Sequence, residues 1–287
     1  MKLLKSGLWF ALLLTLFLLS CGDSDQILHS LIDISGAPIP YDESNPDQVL
    51  PVASVCLECS RDKRENLIKI ENMIFRIMEE APQTRLIVFG ETTLGYYYGL
   101  DDPESYQRSV GETIPGPATA QIGSLADSFD VFIVLGMSEL SGDTLYNAQV
   151  LLNPEGQIVA VHRKSGFVSE DEEAGFTRGR HATVASIDGI RIGMIICADV
   201  TSYPLTEDLV AAEIQILIHS LASLAGEFRF DATARQFNSW VIFANRYGHE
   251  GDQYSPGTCH ISDPAGNVVV GGEGQERYLT YTIGVSK

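Results

Sequence analysis

Three apolar runs in this 287-residue chain end on residues that a hydrophobic core would reject. "RLIVFGE" (85–91) ends on Glu91, "IVAVHRK" (158–164) on Lys164, and "IGMIICAD" (192–199) on Cys197 and Asp199. Singly, each has an ordinary reading. A glutamate or lysine after a strand is the first exposed residue, and a cysteine there is a small hydrophobe. Together they supply an acid, a cation and a thiol, the parts of an activated nucleophile. The carboxylate takes the thiol proton, the thiolate attacks an electrophilic carbon, and the ammonium stabilises the thiolate or the oxyanion that follows.

Such groups converge only if the runs are strands that end at one edge of a sheet. From Pro51 onward the pattern supplies those strands. "VASVCL" (52–57), "RLIVF" (85–89), "VFIVLGM" (131–137), "IQILIHS" (214–220), "WVIFAN" (240–245) and 278–285 read as strands. Hairpins are predicted over 147–164, turning at Pro-Glu-Gly, over 182–197, turning at Asp188-Gly189, and over 257–271, turning at 263–266. Leu67, Ile70, Ile74 and Ile77 recur at helical spacing within 65–80, and further helices are predicted over 117–128, 205–213 and 228–239. About twelve strands and four helices make a mixed α/β protein. That strand count calls for two packed sheets with helices outside rather than one open sheet. No linker-like composition interrupts 50–287, which reads as one domain.

These residues and segments resemble the carbon–nitrogen hydrolase (nitrilase) superfamily. The order Glu91, Lys164, Cys197 is similar to that family's Glu-Lys-Cys triad. "LYNAQVLLNPEGQIVAVHRK" looks like its hairpin into the lysine, and "GMIICAD" like its nucleophile segment. "ARQFNSWVIFANRYG" and "GTCHISDPAGNVV" are similar to its C-terminal helix, strand and hairpin, so the likeness covers roughly 51–285. It implies a four-layer α-β-β-α sandwich and cleavage of a small non-peptide amide or nitrile through a thioester on Cys197. Glu91 would be the general base, and Lys164 with the backbone N–H of Ala198 the oxyanion donors. The family's second glutamate, in a Glu-x-x-x-Phe pattern, falls on Glu172, four residues before Phe176, although Glu170, Asp171 and Glu173 crowd the same stretch. Tyr97 and His219 are expected to line the pocket. Many members of that family associate through the sandwich's helical face, which leaves a homo-oligomer open for this chain. No cofactor is expected.

The chain departs from its relatives beside the nucleophile. Many members show Cys-Tyr-Asp-x-Arg-Phe-Pro, where this chain has Cys197-Ala198-Asp199-Val200-Thr201-Ser202-Tyr203-Pro204. Arg178 stands where a proline is common. The family's nitrilases usually carry Trp-Glu after the cysteine, so an amide is favoured over a nitrile. The same acyl-enzyme would serve an acyltransferase, and an inactive binding protein on the same fold is the third reading.

A formal net charge of -19 repels phosphate backbones and excludes nucleic acid as a partner. The first residues, "MKLLKSGLWFALLLTLFLLSCGD", carry Lys2 and Lys5 ahead of an apolar stretch from Leu8 to Leu19. About 12 residues suit a signal-peptide core better than a bilayer span. "LLSC" (18–21) resembles the lipobox of bacterial lipoproteins, in which Cys21 becomes the acylated N-terminus; an uncleaved anchor helix is the alternative. The expected organisation is thus a signal over 1–20, a tether over 21–49 with a short helix near 27–34, and the domain over 50–287, held on the envelope membrane outside the cytoplasm. Cys56 and Cys59 form one CxxC, a weak zinc signal without a second ligand pair. In an oxidising compartment they are expected to close a short disulfide; thioredoxin-type redox chemistry is the lesser alternative. Cys259 stands alone, and the six histidines show no ligand spacing.

Overall fold

The computed structural model describes residues 46–224 and 230–286. The expected signal, the expected lipidation site at Cys21 and nearly all of the expected tether, with its short helix, therefore lie outside the described residues.

Two sheets form the centre. The first has the order β11-β10-β1-β2-β3-β4-β5, with β14 also paired to β1. Its strands are β1 (Gln48–Glu58), β2 (Leu86–Val88), β3 (Phe132–Ser141), β4 (Thr144–Leu152), β5 (Ile158–Arg163), β10 (Arg246–Glu250), β11 (Gln253–Pro256) and β14 (Arg277–Val285). The second runs β13-β12-β9-β8-β7-β6. It comprises β6 (Thr183–Ile187), β7 (Ile190–Ile196), β8 (Ile216–Ser220), β9 (Trp240–Ala244), β12 (Cys259–Ser262) and β13 (Val268–Gly272). β1, β2 and β3 pair in parallel, as do β7, β8 and β9.

Alternation along each strand sorts the side chains into layers. Val52, Leu86, Val88 and Val134 face the second sheet and pack with Ile192, Met194, Ile216, Ile218 and Ile242. Their neighbours Ala53, Val55, Ile87, Phe89 and Ile133 face the other way. There they meet Ile70, Ile74 and Ile77 of α1 (Lys63–Glu80) and Ala118, Ile122 and Ala126 of α3 (Pro117–Phe129). α5 (Tyr203–Ala211) and α6 (Phe230–Phe237) belong to the second sheet's half, where Gly193 of β7 leaves room for Leu209. The result is the helix–sheet–sheet–helix sandwich that the strand count and the family likeness called for.

Four elements were not legible in the apolar pattern: α2 (Pro103–Val110), α4 (Ser169–Glu173) and the hairpin of β10 and β11. Each is short and polar, so no hydrophobic period marks it.

The cysteines pair differently from expectation. Cys56 on β1 is bonded to Cys259 on β12, a staple between the sheets, and Cys59 remains a buried thiol whose pKa burial pushes up to about 12. Strand geometry explains this. Three extended residues span roughly 10 Å, whereas bonded cysteines need Cα atoms within about 7 Å; Cys56 and Cys259 are 6.2 Å apart. With a sequence separation of 203, loop closure assigns the bond about 3–5 kcal/mol. Replacing both cysteines by alanine is expected to lower the thermal midpoint by several degrees; superimposable melting curves for variant and parent would refute this.

Candidate active site

Glu91 lies three residues beyond β2, in a turn that the sandwich grips tightly. Its N–H donates to Leu221 O at 3.0 Å, and Thr93 N–H donates to Gly136 O at 2.8 Å. A Cβ at Gly136 would collide with Gly90 O, so the glycine in β3 is what lets this turn approach. Behind it Arg246, fully buried, donates from Nη1 to Glu91 O at 3.0 Å and Thr92 O at 2.8 Å. Its Nε binds Glu250 Oε1 at 2.5 Å, and Glu250 Oε2 accepts from Tyr97 N at 2.6 Å and Tyr98 N at 2.9 Å. One buried ion pair thus fixes the backbone of the whole 91–98 segment.

Lys164 follows β5 and is fully buried. Its Nζ lies 2.7 Å from Glu91 Oε1, 2.7 Å from Asp171 Oδ2 and 3.4 Å from the Tyr97 hydroxyl. Asn147 ties the carboxylates together, donating from Nδ2 to Glu91 Oε1 at 2.6 Å and Asp171 Oδ1 at 3.2 Å. Burial opposes the lysine's charge, but Glu91, Cys197 and Asp171 outweigh it and hold its pKa above the usual value. Burial pushes the Glu91 carboxyl up; Lys164 pulls it back, and the net shift is upward. Glu91 Oε2 is buried with no hydrogen-bond partner among the described residues.

Cys197 opens a 3₁₀ turn (Cys197–Thr201) directly after β7, with φ +44°, a backbone conformation that costs a non-glycine residue about 1–3 kcal/mol. Surrounding contacts hold it there. His219 of β8, fully buried, donates from Nε2 to Cys197 O at 2.9 Å, and burial pushes its pKa down to about 4, so it is neutral at pH 7. Asp199 Oδ1 accepts from Ser165 N and Gly166 N, each at 2.6 Å, while Oδ2 accepts from Ile196 N at 2.8 Å and His162 Nε2 at 2.8 Å. One carboxylate therefore joins the turn after Lys164 to the turn at Cys197. Burial works against its charge, and the bonds from His162, Gly166 and Ile196 prevail to keep its pKa low. For the thiol, burial and the Glu91 charge raise the pKa well above the ordinary value; Lys164 and a backbone hydrogen bond from Ala222 oppose them without winning.

Glu91, Lys164 and Cys197 thus share one electrostatic site, with Ala198 beginning the turn after the sulfur. Glu172 does not join them. Its side chain is 68% exposed and pairs with Arg178 at 3.0 Å, while Asp171, one residue earlier and fully buried, takes the position against Lys164. α4 turns by about 100° per residue, so only one member of the acidic run faces inward. The Tyr97 hydroxyl lies 3.4 Å from Lys164 Nζ, and His219 supports Cys197 through its backbone. Sequence reasoning gave no part to Asn147, Arg246 or Glu250. The "YN" opening the β4 hairpin was the only available hint of the first. Among the described residues no three His, Cys, Asp or Glu side chains are grouped to hold a metal ion.

Several known proteins are similar to this chain. An (R)-stereoselective amidase of a Pseudomonas species is 27% identical over 66% of this chain and 69% of its own. A probable nitrilase of Schizosaccharomyces pombe is 25% identical over 77% of this chain and 84% of its own. The crystal structure of Nit3 from Saccharomyces cerevisiae, of the nitrilase superfamily, superposes with a TM-score of 0.74 at 23% identity, covering 83% of this chain and 91% of that one. The family model for carbon-nitrogen hydrolases matches residues 51–286, and the chain belongs to that family.

Proposed function

We propose that the protein hydrolyses the C–N bond of a small amide through a thioester on Cys197. The observation that carries this reading is the asymmetry of Glu91: Oε1 is held by Lys164 and Asn147, while the buried Oε2 has no hydrogen-bond partner among the described residues and is left to accept a proton. Because the thiol pKa is raised, the resting sulfur is protonated, and its proton leaves as attack begins. Glu91 takes that proton as Cys197 Sγ bonds to the amide carbon. Lys164 Nζ and the N–H of Ala198 stabilise the tetrahedral oxyanion. As the intermediate collapses, Glu91 returns the proton to the departing amine. Glu91 then deprotonates a water that attacks the thioester, releasing the acid and the thiol. Ala198-Asp199 in place of the Trp-Glu usual after the cysteine in the family's nitrilases supports an amide over a nitrile.

The two roles of Glu91 separate experimentally. Cys197→Ala is expected to abolish ammonia release from a panel of small amides in a protein that stays folded, and Glu91→Gln to cut it by about 10²–10⁴. Yet Glu91→Gln removes a negative charge that raises the thiol pKa, so iodoacetamide should alkylate Cys197 faster at pH 8 in the variant than in the parent. Unchanged turnover, or slower alkylation, defeats the assignment. Asp171→Asn is expected to lower kcat by at least tenfold while Glu172→Gln leaves it within twofold; the reverse order would return the role to Glu172.

The export and anchoring read from "LLSC" also belong to this proposal: a lipoprotein of the cell envelope, held by acyl chains on Cys21. The Cys56–Cys259 bond supports it, since such bonds persist in oxidising compartments. Mass spectrometry of the mature N-terminus should find acylated Cys21; an unmodified Met1 rules it out.

A further inference from the structure

A cavity of about 490 Å³ opens beside β5 and the segment leading into β6, lined by Arg163, Arg178, Arg180 and His181 together with Glu139 and Tyr146. Arg163 and Lys164 are successive residues on an extended strand end, so they leave to opposite sides. The cavity is thus on the far side of that backbone from Lys164 Nζ, and neither Lys164 nor Cys197 lines it.

Its charge runs against the rest of the molecule. The chain carries 38 acidic and 19 basic residues, yet three guanidiniums face one carboxylate here. Two of the three are already oriented. Arg163 donates from Nε and Nη2 to Glu139 at 2.6 and 2.5 Å and stacks 4.1 Å from the Tyr146 ring centre, with no hydrogen bond from Nη1 among the described residues. Arg178 stacks 4.3 Å from the Phe167 ring centre and donates to Ser165 O at 2.9 Å. Its ion pair with Glu172 has both side chains more than half exposed, and such pairs are worth about 0–1 kcal/mol. A better acceptor therefore displaces Glu172 at little cost. Arg180 is exposed, with no hydrogen bond or ion pair among the described residues.

We infer that this cavity is a binding site, separate from the catalytic centre, for a small oxyanion: a carboxylate or phosphate held by Arg178 and Arg180 with Arg163 Nη1 at its back. Planar guanidiniums fit both groups bidentately. The volume matches a small-molecule site, and the net charge of -19 turns away polyanions such as nucleic acid. The site also gives Arg178 a use that the reaction does not.

Titration calorimetry of the protein at low ionic strength with inorganic phosphate, and separately with citrate, tests the inference. Saturable binding of at least one anion is expected, unchanged in Cys197→Ala. Arg178→Ala with Arg180→Ala should weaken it at least tenfold, and Glu172→Gln, by releasing Arg178, should tighten it. If neither anion binds saturably in the millimolar range, or if the double substitution leaves the isotherm unchanged, there is no such site. Weaker binding in Glu172→Gln likewise overturns the part assigned to Arg178.

Discussion

A single ammonium held between two buried carboxylates governs this structure. Lys164 sits 2.7 Å from both Glu91 and Asp171 in a region without exposure to water. With all three ionised the cluster carries one net negative charge, and a resting thiolate beside it would add a second. Burial itself pushes the thiol pKa up and also multiplies that repulsion, and together they hold the sulfur as a thiol. An arrangement of this kind keeps the Cys197 sulfur uncharged at rest. It differs from cysteine sites in which a cation outweighs its neighbours and the thiolate is preformed.

Buried charges this close tolerate little positional error, and the fold is arranged accordingly. The side chains of Glu91, Lys164 and Cys197 leave three strands of two different sheets, so no single element can align them. Alignment comes from buried polar groups that cross between elements: Arg246 with Glu250 for the glutamate turn, Asn147 between the carboxylates, and Asp199 between the lysine and cysteine turns. Asp199 gives the two turns a common anchor, so disturbing it would act on both at once.

Most of the strands and the residues at their ends were readable because hydrophobic alternation and apolar run length are local properties. The layered architecture followed from strand count and the family likeness. Asp171 was lost for a physical reason. In the run Glu170–Glu173 the chemistry of four neighbours is nearly the same, and only the rotation of α4 distinguishes them. Arg246 reads in the sequence as an ordinary exposed arginine; its burial depends on a glutamate four residues on and on carbonyls about 150 residues away. The cysteine pairing failed likewise, since proximity along the chain is the wrong measure of distance when the intervening residues are extended.

That pairing has a topological consequence. Cys56 lies in the first strand and Cys259 near the end of the domain, so the bond closes nearly all of the domain's chain, and both strands that contribute Cys197's neighbours, into one covalent ring. A single proteolytic cut anywhere within the ring leaves its two pieces attached. A nicked molecule would migrate as intact until reduced, and it could keep its site assembled after its backbone had been severed.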